Sequence, residues 1–160
     1  MAANPRRDVD AEPEERVLVI TRNFDAPRGL VFKLWTDPSH AMRWMGPRGF
    51  TATHVATDPR PGGAWRVCLR RDENGEELWH GGVYREVVEP ERLVFTHAWD
   101  GEDGRPGHET LIAIAFAERQ GKTTMTFRQS VFTTVDARDR HNAGWASAFD
   151  RLEESLASVR

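Results

Sequence analysis

The segment His141-Asn142-Ala143-Gly144-Trp145-Ala146-Ser147-Ala148-Phe149-Asp150-Arg151-Leu152-Glu153-Glu154-Ser155-Leu156 carries the pattern round which the chain is organised. Trp145, Ala148, Phe149, Leu152 and Leu156 recur at the spacing that lays one apolar stripe along a helix, with Asp150, Arg151, Glu153 and Glu154 on the far side. A helix with one apolar stripe needs an apolar surface to lie on. Residues 50 to 131 read as short strands, so the predicted partner is a single curved antiparallel sheet that the helix closes, an α+β architecture. Function then depends on what lies between helix and sheet.

Working back from the helix, the turn signals say which strand residues face one another. Asn74-Gly75 predicts a two-residue turn with Glu73 opposite Glu76, which sets Leu69 against His80, Val67 against Gly82 and Trp65 against Tyr84. The turn Glu89-Pro90-Glu91-Arg92 sets Val88 against Leu93 and Tyr84 against His97. Across the Gly-rich loop of residues 100–107, Trp99 faces His108, His97 faces Thr110 and Phe95 faces Ile112. A turn within Glu118 to Gly121 sets Ala117 against Lys122, Ile112 against Phe127, Ile114 against Met125 and Thr110 against Gln129. Together these pairings put Trp65, Val67, Leu69, Phe95, Trp99, Ile112, Ile114, Phe116, Met125 and Phe127 on one face. Arg66, Arg70, Arg85, Thr96, Thr124, Thr126 and Arg128 fall on the other. A slip of one residue would break this separation, whereas a slip of two preserves it.

The same pairing draws one row across the inner face at a single height: Trp65, Tyr84, His97, Thr110 and Gln129. Buried polar groups need partners, so either these satisfy one another through waters or they line a wet cavity that admits a ligand's polar end. Trp145 is expected over this row as a cavity wall, with one of its faces on ligand or water. Glu86 is predicted inward, ion-paired with a helix residue or near the open end.

Upstream, residues 16 to 24 alternate as a strand. Asp25-Ala26-Pro27 reads as a helix start with Asp25 as cap and Pro27 in the first turn, and Leu30, Val31, Leu34 and Trp35 form the stripe of a helix ending near Asp37-Pro38. A second short helix is predicted from Ser39 to Trp44, stopped by Gly46-Pro47. Residues 1–14 read as a disordered arm, which leaves residues 15–160 as one domain.

Composition excludes several function classes. With 22 Lys+Arg against 25 Asp+Glu well mixed along the chain, nucleic-acid binding is not expected. No apolar run approaches the ~20 residues of a membrane span, and no signal-peptide core is present, so a cytoplasmic protein is expected. The single Cys68 excludes an internal disulfide and reads as a small buried residue. The histidines at 40, 54, 80, 97, 108 and 141 contain no metal-binding spacing; His80 and His97 come nearest, three to four residues out of register, and neither metal nor other cofactor is expected. Ser130 and Ser147 lack a neighbouring His for nucleophilic catalysis, and Gly62-Gly63 lacks the following helix of a phosphate loop.

The runs Phe32-Lys33-Leu34-Trp35-Thr36-Asp37-Pro38, Arg43-Trp44-Met45-Gly46-Pro47, Pro61-Gly62-Gly63-Ala64-Trp65-Arg66, the span from Gly82 to Thr96, and Gly144-Trp145 resemble the SRPBCC (START-like) superfamily. The resemblance is to its branch of homologues of the activator of the heat-shock-protein-90 ATPase, and it covers about residues 16 to 157. It implies a helix-grip fold: about seven antiparallel strands wrapped round a long C-terminal helix, two short helices after the first strand, and an internal cavity. It does not name a ligand, because such folds include lipid carriers, hormone receptors, polyketide aromatase/cyclases and stress-response co-chaperones. Met45 stands where many relatives have Trp, and Gln129 where relatives often have His, which removes a candidate acid/base.

The leading expectation is non-enzymatic binding of a small hydrophobic or aromatic molecule. Trp35, Trp44, Trp65, Phe95, Trp99, Met125, Phe127, Trp145 and Phe149 would form walls, and Tyr84, His97, Thr110 and Gln129 would provide the polar row. The alternatives are a cyclase/dehydratase-type enzyme with His97 moving a proton and Tyr84 polarising a carbonyl, or a protein-interaction module. A homodimer is compatible with the sequence; chaperone binding is not expected, since the co-chaperones' further N-terminal domain has no counterpart here.

Overall fold

The computed structural model describes residues 16–159, so the expected N-terminal arm lies outside the described residues. The chain runs β1 (Leu18–Phe24), α1 (Arg28–Thr36), α2 (Pro38–Trp44), β2 (Phe50–Thr57), β3 (Ala64–Arg71), β4 (Glu77–Val88), β5 (Arg92–Trp99), β6 (Thr110–Arg119), β7 (Lys122–Ser130) and α3 (Val135–Val159). The seven strands form one antiparallel sheet in the order β1-β7-β6-β5-β4-β3-β2, curled into a half-barrel round α3. Consecutive hairpins build β2 to β7, and β1 closes against β7 with Leu18 opposite Gln129.

The face assignment stands: Trp65, Val67, Leu69, Phe95, Ile112, Ile114, Phe116, Met125 and Phe127 are all buried, and Trp99 is half-buried. From the helix, Trp145, Ala148, Phe149, Leu152 and Leu156 meet them. Registers differ from expectation in three of four hairpins. Asn74-Gly75 is the second half of a four-residue loop, with Arg70 opposite Glu77, so Trp65 faces Gly82 and Val67 faces His80. Asn74 Oδ1 accepts from the Glu76 N–H at 2.9 Å and Thr51 Oγ1 donates to Asp72 Oδ1 at 2.6 Å, so side chains hold the longer loop. Between β6 and β7, Gln120 and Gly121, both at positive φ, make a two-residue turn with Arg119 opposite Lys122, moving Ile112 opposite Gln129. Both slips are of two residues, which is why the two faces survive them.

Between β4 and β5 the pairing shifts by one residue at the turn, where Val88 faces Arg92, and by a second at a bulge around Arg85. Tyr84 therefore faces Phe95, not His97. The bulge also reverses Glu86, which is exposed and pairs with Arg92 at 3.1 Å instead of pointing inward, while Val87 turns to the core. The β5–β6 pairing is as expected, with His97 opposite Thr110 and Phe95 opposite Ile112.

The helix start after β1 also differs. Pro27, not Asp25, occupies the N-cap of α1 and offers no side-chain bond; Glu118 Oε1 at the end of β6 accepts the Arg28 N–H at 2.8 Å. The cap is thus supplied from 90 residues away in sequence. Glu118→Ala is expected to lose about 1 kcal/mol, the typical worth of a cap, as a lower urea midpoint at unchanged slope.

Candidate functional site

Under the N-terminal half of α3 the packing does not close. A cavity of about 440 Å³ opens there, within the range of ligand pockets. Its floor is Leu69 of β3, Leu78 and His80 of β4, and His97 and Trp99 of β5; its roof is Arg140, His141, Gly144, Trp145 and Ala148 of α3. The third side is the α2–β2 connection, Met45-Gly46-Pro47, with Phe50. This connection is fastened to α3: Arg151 Nη1 donates to the carbonyls of Gly46 at 2.9 Å and Phe50 at 3.1 Å, the Arg48 N–H donates to Ser147 Oγ at 2.9 Å, and Arg48 pairs with Glu154. Gly46 has φ +96°, and a Cβ there would lie 2.9 Å from Leu69 Cδ2, so glycine keeps the connection close to the sheet. At Gly144 a Cβ would meet nothing within 4 Å, so the gap in the roof is the absence of a side chain.

Of the residues expected to form the site, His97, Trp99 and Trp145 line this cavity. Trp145 is its inner partition. Behind it, Trp35, Trp65, Tyr84 and Phe95 surround a remnant of only about 20 Å³, too small for anything beyond a water. Trp44, Met125, Phe127 and Phe149 border neither space and are fully buried in the aromatic core, where Trp35 packs on Trp44 at 4.7 Å and Phe127 on Phe149 at 5.3 Å between ring centres. Thr110 and Gln129 connect the core internally: Gln129 Nε2 donates to Thr110 Oγ1, and Trp145 Nε1 donates to Gln129 Oε1, both at 2.9 Å. The polar row is thus split by the register. Its β6–β7 end is satisfied within the protein, and Tyr84 leaves the row for the aromatic side.

His80 takes the place beside His97. With His80 opposite Trp99 across β4 and β5, His80 becomes a same-face diagonal neighbour of His97, and the two rings lie 5.1 Å apart, each 2% exposed. Trp99 packs on His80 at 4.3 Å between ring centres, the two planes tilted by 46°. Burial pushes His80 down to about 3, with Arg66 and His141 adding to it, and burial likewise holds His97 well below 6.5; both rings are neutral near pH 7. His80 Nδ1 is buried without a hydrogen-bond partner, a condition that costs about 1–3 kcal/mol. His141 is placed differently: its Nδ1 bonds the Ala137 carbonyl at 2.9 Å and its Nε2 accepts from Trp99 Nε1 at 3.1 Å, which defines a neutral Nδ1–H tautomer. Burial lowers its pKa as well. Among the described residues no group of three or more His, Cys, Asp or Glu has a metal-binding arrangement. His141 escaped the sequence reading although it stands four residues before Trp145, in line with the helix stripe; His80 was assigned the inner face, at the wrong distance from His97.

Tyr84 no longer faces His97, so the pairing of a proton-moving His97 with a carbonyl-polarising Tyr84 does not form, and burial raises the Tyr84 phenol above its ordinary value. No described helix is long and apolar enough to cross a membrane.

Solved structures share this architecture. The AHSA1 protein from Silicibacter pomeroyi superposes with a TM-score of 0.81 at 24% identity, covering 90% of this chain and 99% of its own. A protein from Arthrobacter aurescens gives 0.81 at 22% identity, covering 91% and 88%. One from Chromobacterium violaceum gives 0.75 at 25% identity, covering 86% and 95%. At these identities the likeness is one of fold. No curated protein matches the chain. The family model described as Activator of Hsp90 ATPase homolog 1-like protein matches residues 25–157, from the start of α1 to the last turns of the closing helix; the chain belongs to that family.

Proposed function

We propose that the protein binds a small, largely apolar molecule in the cavity between α3 and strands β3 to β5, with no reaction required. The observation that carries this reading is the cavity itself: about 440 Å³ walled by Met45, Pro47, Phe50, Leu69, Leu78, Trp99 and Ala148, with a few imidazoles as its polar groups. A domain of this size fills its interior unless something is gained by leaving space. The fit is to a compact hydrophobic or aromatic ligand, and the reading places its work in the cytoplasm. The wall positions are His80, His97, Trp99, His141 and Trp145; Trp35, Trp44, Met125, Phe127 and Phe149 support them from behind.

Titrating the intrinsic tryptophan fluorescence with fatty acids, flavonoids and aromatic polyketides tests the reading, because Trp99 and Trp145 border the space. At least one class is expected to give a saturable change. Gly144→Leu, which projects a side chain into the open roof, is expected to weaken that binding at least tenfold while preserving the fold, since leucine is a better helix former than glycine. A flat response to the whole panel, or unchanged binding by Gly144→Leu, would sink the assignment.

One observation favours a second reading. His80 and His97 stand side by side as neutral imidazoles on the cavity wall, so a proton could pass between a bound substrate and His97 with His80 in place of the expected Tyr84. A His97→Ala variant that kept full turnover of a substrate found by screening would remove His97 from that role.

A further inference from the structure

We infer that the His80–His97 pair selects, among apolar molecules, a neutral ligand bearing a hydroxyl group, a phenol or an alcohol, and discriminates against a carboxylate. This rests on the cavity being the binding site. The polar groups of the wall are few, and one of them is committed. His141 uses both ring nitrogens, on the Ala137 carbonyl and on Trp99 Nε1. Arg140 is an exposed side chain paired with Asp136 at 3.3 Å. His80 remains, a wall residue 2% exposed with neither ring nitrogen in a hydrogen bond to any described residue, and His97 lies 5.1 Å away between ring centres.

A neutral imidazole carries one N–H donor and one bare acceptor nitrogen. Two such rings side by side offer a donor and an acceptor to the same small space. A hydroxyl group both donates and accepts, so it complements the pair with one atom. An ether oxygen only accepts and satisfies half of it. A carboxylate brings a charge into an apolar wall and needs a cation beside it; the wall's one permanent cation, Arg140, stands in solvent beside Asp136, and protonating either ring works against its burial and against its neighbour. The packing of Trp99 on His80 at 4.3 Å and of Trp65 on His97 at 5.7 Å holds both rings in place, so the anchor exists before the ligand arrives.

The test uses four probes on the full-length protein at pH 7 by isothermal titration calorimetry: naphthalene, 2-naphthol, 2-methoxynaphthalene and 2-naphthoate. The expected order places 2-naphthol at least tenfold tighter than the ether and the naphthoate. In His80→Leu, which removes the unpartnered nitrogen and keeps an apolar wall, the preference for 2-naphthol over the ether should fall below threefold with naphthalene binding retained. Naphthol and ether binding equally to the unaltered protein would overturn the inference while leaving the cavity reading intact, as would naphthoate binding tightest. If none of the four binds and the wider ligand panel is also silent, both fall. The comparison among probes on the unaltered protein needs no variant to fold.

Discussion

Replacing Trp145 by alanine is expected to destabilise the protein by about 3–5 kcal/mol, the range for truncating a packed core aromatic. One face of Trp145 borders the cavity, as the sequence leads one to expect, but the rest of the ring is packed too tightly for that to reduce the loss. In the structure it is only 8% exposed and packs against Phe127 at 4.9 Å, Phe149 at 5.7 Å and Trp35 at 5.8 Å between ring centres. Its Nε1–H is also the partner of Gln129 Oε1, so the truncation leaves a buried amide oxygen bare and the loss belongs in the upper part of the range. Leu152→Ala, at a site fully buried away from the cavity, is expected to cost a comparable ~2–5 kcal/mol. Ligand response separates the two. Trp145→Ala removes the partition between the large cavity and the remnant behind it and should change which ligands bind, whereas Leu152→Ala should leave ligand preference unaltered. Urea unfolding of both variants, with parallel ligand titrations, makes the comparison. A loss below about 1 kcal/mol at Trp145 would contradict the packing described here.

Acid is expected to weaken the fold strongly between pH 6.5 and 3. His80 titrates near 3 in the folded protein and near 6.5 when unfolded, so as pH falls the unfolded chain takes up the proton first. The stabilisation from keeping His80 neutral is complete above about 6.5 and is lost progressively as pH falls toward 3. At about 1.4 kcal/mol per pH unit for one proton, His80 alone accounts for a loss of about 2 kcal/mol by pH 5. His97, also lowered by burial, acts in the same direction, and His141 adds to it. Against a typical domain stability of about 5–15 kcal/mol this is a large fraction. Unfolding free energies measured from pH 7 to pH 5 check it: His80→Leu should show a loss smaller by about 2 kcal/mol than the unaltered protein. Identical pH profiles for the two would show that His80 is not held neutral.

By itself, the sequence determined the architecture and its two faces. Period-2 alternation in the strands and the 3.6-residue stripe from Trp145 to Leu156 name the buried sides, except past the bulge in β4; the strand signal survives a two-residue slip because it depends on parity, and the helix stripe does not depend on strand register at all. The family was legible from motifs that run through α1, the α2–β2 connection, β3, the β4–β5 hairpin and the middle of α3. The candidate site was legible only in part, with His97, Trp99 and Trp145 placed on it and the aromatic core taken for its walls.

Which inward residues touch depends on the assembled sheet and helix. Register was set by the Asn74 and Asp72 side chains, the Gln120-Gly121 turn and the bulge at Arg85, each a balance of backbone geometry against packing that a turn motif alone does not resolve. The β4–β5 turn and its bulge moved His80 to His97 and carried Tyr84 away, while the β6–β7 turn set Gln129 opposite Ile112. The cavity itself has no sequence signature. It is the volume left unfilled where Gly144 lacks a side chain and where Arg151 ties the Met45-Gly46-Pro47 connection to the helix, and such a volume depends on elements that approach one another from opposite ends of the chain.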